Sequence, residues 1–130
     1  MNHRGTETQR DALTSKVIGC AIEVHRELGP GLLESAYEAC LAWELEQKSL
    51  DCQRQLSLPV CYKGKELEVG YRVDLVVEQQ LVVELKTVDS ILPVHEAQLL
   101  TYLKLTGVHT GLILNFKTVL LRDGIKRMIL

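Results

Sequence analysis

The sequence predicts an α/β domain of the α+β kind, with its elements in the order ααβββαββ. Three observations predict it. Apolar residues recur at helical spacing from Leu13 to Leu45. A valine- and leucine-rich block, residues 53–88, is cut twice by turn-forming residues and reads as a three-stranded meander. A further helical stretch then separates this block from closing short apolar runs.

Taken in order, Leu13, Val17, Cys20, Ala21, Val24 and Leu28 place a first helix over about Glu7–Leu28. Ile18, Ile22 and His25 widen its stripe, so a broad face should be buried. Residues 1–9 are expected to be a flexible lead-in. Gly29-Pro30-Gly31 breaks the helix. A second helix covers about Leu32–Ser49, with Leu33, Ala36, Tyr37, Cys40, Leu41 and Leu45 on its apolar side. Strands follow over Gln53–Tyr62, Leu67–Val77 and Leu81–Val88, joined by turns at Lys63-Gly64-Lys65-Glu66 and Glu78-Gln79-Gln80. Asp89–Pro93 leads into a helix over Val94–Thr106, ended by Gly107. The last two strands are expected at Gly111–Phe116 and Val119–Arg122, with Asp123-Gly124 as a hairpin turn into Ile125–Leu130.

A chain of 130 residues, 46% hydrophobic and 25% charged, is expected to form one globular domain, residues 1–130, with a proper core. No apolar run reaches the length of a membrane span, and Met1–Arg10 has no signal-peptide core, so a cytoplasmic protein without a membrane partner is expected. Cys20, Cys40, Cys52 and Cys61 include no Cys-x-x-Cys pair and read as reduced thiols, with Cys20, Cys40 and Cys61 in small apolar packing positions. The four histidines lack zinc-site spacing. A net charge of −2 gives no general attraction to nucleic acid. Arg122, Lys126 and Arg127, with Lys63 and Lys65, are the candidates for a local basic patch, against the plainer reading of a solvated surface.

Asp74, Glu84 and Lys86 stand out because they lie inside strand sequence. Alternation puts Glu84 and Lys86 on one face. With residues 78–80 as the loop, Val77 faces Leu81 and Asp74 faces Glu84. Two opposed carboxylates destabilise a sheet unless positive charge lies between them, and a divalent cation is the obvious candidate. The face is otherwise Val76, Val82 and Val88, which argues against simple solvent exposure. A metal or catalytic role and a structural ion cluster both remain open on spacing alone. Glu34, near a helix N-terminus, is explained by the helix dipole. Gln98 and Tyr102 are four apart on one helix face, with His95 three before Gln98, and by themselves read as a partly exposed helix edge.

The motif Gly31-Leu32-Leu33-Glu34-Ser35-Ala36-Tyr37, preceded by residues 22–30, resembles the naming motif of the GxxExxY proteins, a branch of the PD-(D/E)XK nuclease superfamily. Gly70–Leu75, Val83–Lys86, Leu92–Leu103, Leu114–Phe116 and Gly124–Arg127 are similar to further segments of that family, so the resemblance runs from about residue 10 to the C-terminus. It implies a restriction-endonuclease-like core, a central mixed sheet flanked by helices. By resemblance, Asp74 and Glu84 are metal-binding carboxylates, the carbonyl of Leu85 a further ligand, Lys86 the catalytic lysine, and Glu34 the helix-borne acid completing the site. Gln98 and Tyr102 resemble the Gln-xxx-Tyr motif of the RecB-like branch, which lines the site beside DNA, and His25 occupies a family motif position, taken with them as substrate-binding. Two departures are mild: Lys117 replaces a frequent glycine after Asn115-Phe116, and Val73 stands where the superfamily has proline.

The resemblance thus implies a Mg²⁺-dependent nuclease, with Mn²⁺ as a working substitute and DNA ahead of RNA as the nucleic-acid partner. Two other readings stand beside it. One is a non-catalytic nucleic-acid-associated scaffold, or a subunit of a larger DNA-processing complex, in which a homodimer or protein partner completes a groove. The other is a metal-dependent hydrolase of a small phosphate ester.

Overall fold

A computed structural model describes residues 6–130 of the chain, apart from the side chains of residues 68 and 69. Helix α1 (Glu7–Leu28) opens with a capping box: Thr6 Oγ1 accepts from the Gln9 N–H at 3.1 Å, and Gln9 Oε1 accepts from the Thr6 N–H at 2.8 Å. Of the expected lead-in, Thr6 to Gln9 therefore form the helix start, and residues 1–5 lie outside the described residues. Gly29 ends α1 at φ 69°, and Gly31 follows at φ 102°, conformations an L side chain rarely adopts.

Helix α2 (Glu34–Gln47) starts at Glu34, because Gly31 and the extended Leu33 (ψ 149°) keep the preceding residues out of the helix. One turn further on, Tyr37 is fully buried. Its hydroxyl donates to the Gly29 carbonyl at 2.6 Å and accepts from the Leu32 N–H at 3.1 Å. Its ring stacks on Phe116 at 4.4 Å. The glycine and tyrosine of the motif thus shape and lock the α1–α2 turn, and the glutamate between them sits on the first turn of α2.

Strands β1 (Cys52–Tyr62), β2 (Lys65–Val77), β3 (Leu81–Lys86), β4 (Thr110–Asn115) and β5 (Ile125–Ile129) form one sheet in sequence order. Neighbours are antiparallel except β3 and β4, which are parallel and joined through α3 (Pro93–Thr106). The β1–β2 turn is tighter than expected: Tyr62 pairs with Lys65, and Lys63 and Gly64 both take positive φ, 50° and 77°. That is the twist-matching geometry of a two-residue hairpin.

Val119–Arg122 is not a strand. Residues 121–124 form a single 3₁₀ turn and Val119 is 83% exposed. The segment reads as β from its apolar residues, but the β4 edge it would need is taken by β5. Gly124 packs so closely on the Asn115 carbonyl that a Cβ would stand 2.5 Å from its oxygen, which folds the connection back on itself.

Helices α1 and α2 cover one side of the sheet, where Val17, Val24, Leu41 and Leu45 meet Leu75, Val77, Val83, Leu85, Leu112 and Leu114. Helix α3 covers the other, where Leu99, Tyr102 and Leu103 meet Val76, Val82 and Ile113. Fully burying one such side chain contributes about 1.5–3 kcal/mol. All four cysteines are free thiols; Cys20 is buried as expected, whereas Cys61 is exposed because the outer part of β1 runs beyond the helices. No helix among the described residues is long and apolar enough to cross a membrane.

Candidate active site

Strands β2 and β3 pair through Val77↔Leu81, Val76↔Val82 and Leu75↔Val83, the register the turn predicts. The ladder then stops one pair short of Asp74 and Glu84. In place of main-chain pairing, Glu84 Oε2 accepts from the Asp74 N–H at 2.8 Å, and Asp74 Oδ2 accepts from the Leu85 N–H at 2.9 Å. Each carboxylate satisfies one backbone donor. The N–H and C=O of one strand residue point to the same side. The Leu85 carbonyl therefore looks into this fork, while the Lys86 carbonyl points the other way and accepts from Phe116 N–H at 2.8 Å.

The two-stranded ribbon turns over at the same place. Leu75 belongs to the α1/α2 side, yet Val73 packs with the α3 cluster. In β1, Cys52 lies on the α1/α2 side, whereas Leu56 and Leu58 lie with α3. Alternation thus breaks at Gln55, which has φ 52° and lies opposite Asp74.

Glu84 is only 4% exposed, and burial followed by the charge of Asp74 pushes its pKa up to about 8. Asp74 is raised by burial despite the Leu85 hydrogen bond. Glu34, exposed overall, is raised by partial desolvation, with half-buried Lys86 opposing and Asp74 and Glu38 reinforcing the shift. Glu34, Asp74, Glu84 and Lys86 therefore share one electrostatic cluster, reached from α2, β2 and β3. Tyr102 is buried on the α3 side, packs edge-on against Tyr71 at 5.7 Å, and is pushed up to about 12 by burial and then by Glu84 and Asp74. Gln98, one turn before it, is half-buried.

His25 makes its contacts away from the carboxylates. Its Nε2 lies 2.9 Å from the Thr118 carbonyl and its ring is 6.0 Å from Phe116, so it ties α1 to the segment after β4. Among the described residues, no contact joins it to the carboxylates. His95 Nδ1 accepts from the Leu92 N–H at 2.9 Å at the start of α3. Asn115 holds the chain after β3, accepting from the Val88 N–H at 3.1 Å and donating to the Val88 carbonyl at 2.8 Å. Lys117 pairs with Asp89 outside the site.

Glu38 is a residue the sequence reading missed. It is buried, accepts from Arg54 at 3.1 Å and 3.2 Å, and is hydrogen-bonded by Gln55. Its signal was present: it stands four residues after Glu34 and so shares that helix face. The C-terminal basic residues do not make an open patch, since Arg122, Lys126 and Arg127 each face an acid: Asp123, Glu96 and Asp11. Lys63 and Lys65 belong to the ribbon turn at the opposite edge of the sheet.

The oxygen donors around the fork suit a hard divalent cation. Asp74 and Glu84 each use one oxygen on a backbone N–H, and the other Asp74 oxygen accepts from the Gln55 amide at 3.3 Å. Among the described residues no three His, Cys, Asp or Glu side chains stand close enough to hold one ion as they are. Glu34 stands on the exposed first turn of α2.

The fold is that of a restriction-endonuclease-like domain. Residues 11–128 match the profile of the PD-(D/E)XK nuclease superfamily, and the chain belongs to that superfamily. Membership points to a nuclease that binds nucleic acid, and nucleases of this superfamily generally use divalent metal ions. No curated protein matches the chain, and no solved structure matches it.

Proposed function

We propose that the protein is a Mg²⁺-dependent nuclease of the GxxExxY, RecB-like kind, a single cytoplasmic domain that hydrolyses phosphodiester bonds of DNA. The observation that carries the reading is the fork itself, where Asp74 and Glu84 are each fixed through a backbone N–H beside Lys86. Glu34, Asp74, Glu84 and the Leu85 carbonyl would hold the ion, with Mn²⁺ as a substitute. When bound, such an ion lowers the pKa of its water and neutralises charge developing on a phosphate. Lys86, a compact cation on a flexible stem, orients the attacking water or stabilises the phosphate's charge. Glu84 holds a proton up to about pH 8 and must release it to act as a ligand. Tyr102 keeps its hydroxyl proton throughout the working range, and with Gln98 positions the phosphate or its water.

Plasmid and linear DNA incubated with Mg²⁺ or Mn²⁺ test this, comparing wild type with Asp74→Ala and Lys86→Ala, with RNA and a nucleotide panel alongside. Cleavage by wild type that is lost in both variants supports the reading. Cleavage equal in all three overturns it.

The matching of Arg122, Lys126 and Arg127 with acids favours a second reading. In it the chain is a subunit of a larger DNA-processing assembly, and a second copy or a protein partner supplies the positive groove. Molar mass in solution, with and without duplex DNA, separates the two: a monomer that cleaves rules the second out.

A further inference from the structure

Gln55 combines features that the mechanism above does not use. Five non-glycine residues have positive φ among the described residues, and four lie at turns: Ser49, Lys63, Glu78 and Gln79. Gln55 alone lies within a strand, at φ 52°. The β1–β2 ladder pairs Arg54 with Leu75 and Leu56 with Val73, and lapses between them, where Gln55 stands opposite Asp74. A strained conformation persists where its surroundings hold it, and functional sites are where such residues cluster.

Gln55 is held by two acids, Glu38 and Asp74. Its Nε2 donates to Glu38 Oε1, and also to Asp74 Oδ1 at 3.3 Å. Glu38 is itself buried and fixed by the Arg54 guanidinium at 3.1 Å. Asp74 Oδ2 is already fixed by the Leu85 N–H. The amide of Gln55 therefore reaches the one Asp74 oxygen that the sheet does not restrain. A neutral amide donor there orients a carboxylate without competing for it as a cation would.

We infer that Gln55, anchored through Glu38 and Arg54, is a positioning residue that aims Asp74 Oδ1 for ion binding. The inference rests on the metal-dependent reading proposed above. It also gives the left-handed backbone at position 55 a purpose: it turns the ribbon so that this side chain falls between α2 and Asp74.

The test is calorimetric titration of the full chain with MnCl₂ and no nucleic acid, for wild type, Gln55→Gly and Gln55→Met. Neither substitution changes charge, so neither alters the general attraction for a cation. Glycine relieves the positive φ, whereas methionine keeps the length and the strain; both remove the donor. Both variants are expected to bind Mn²⁺ about tenfold more weakly, the lower end of what loss of a ligand's hydrogen-bond partner costs. The unfolding midpoint of Gln55→Gly should be equal to or above that of wild type, which excludes a merely structural effect. The Mn²⁺ concentration giving half-maximal cleavage should shift by the same factor while KM for DNA stays put. Unchanged affinity in both variants overturns the positioning role alone. No Mn²⁺ binding by wild type overturns the metal-dependent reading and this inference with it.

Discussion

Along its β4 side, β3 is paired at every residue from Leu81↔Thr110 to Lys86↔Asn115, whereas along its β2 side the ladder ends after Leu75↔Val83. The two edges belong to the same six residues. On the β4 side, backbone meets backbone, and the central neighbours Leu112, Ile113 and Leu114 are apolar and fully buried. On the β2 side, two carboxylates take the places of backbone acceptors. The regular edge gives β3 a fixed position, and the interrupted edge uses that position to hold charge in a half-buried fork. Such a division follows from the cost of buried charge, which only a rigid and hydrogen-bonded setting sustains.

The sharpest way to break this comparison is to remove charge on the fork side alone. Lys86→Ala should lower DNA cleavage by about a thousandfold, roughly 4 kcal/mol of transition-state stabilisation, in single-turnover assays. Mg²⁺ binding should stay largely intact by calorimetry, and its loss would refute the assigned role of the lysine. On the regular edge, Leu112→Ala should cost about 2–5 kcal/mol of stability in urea unfolding, since the side chain is fully buried. The protein that remains folded should cleave at the wild-type rate.

Glu84→Gln joins the two effects. The folded-state pKa of Glu84 is about 8 against an ordinary 4.5, so the folded protein holds this proton more tightly than the unfolded chain. Wild type therefore loses stability as pH rises from about 4.5 to about 8, and the neutral amide is exempt from that loss. Thermal midpoints of the two proteins should lie close together at pH 4 and diverge by several degrees in favour of the variant by pH 9, while the variant has no cleavage activity. The smallest effect is expected at Tyr102→Phe, which keeps the ring against Tyr71. Stability should change by about 1 kcal/mol or less, and cleavage should fall several-fold in the same single-turnover assay.

Much of the architecture was legible because it depends on local pattern. The α1 bounds, the Val77↔Leu81 register and the placing of α3 between β3 and β4 follow from periodicity and turn chemistry. Where the reading departed, a longer-range contact decided. Val119–Arg122 has strand composition but no sheet edge to join. Cys61 has a packing residue's surroundings in sequence but lies beyond the reach of the helices. His25 fits a motif, yet its hydrogen bond goes to Thr118, far along the chain. Glu38 was passed over because nothing near it in sequence says that Arg54 and Gln55 will meet it.

By itself the sequence determined the elements, their order, and which charged residues interrupt apolar strands, because alternation and helical period are properties of neighbouring residues. It also fixed that Asp74 and Glu84 come opposite one another, since one turn sets that register. Only the tertiary structure decided that the ladder opens before reaching them, that the ribbon inverts at Gln55, and that Glu38 of α2 meets Arg54 and Gln55. Those outcomes depend on burial and on contacts between elements distant in the chain. They set which carboxylates are desolvated.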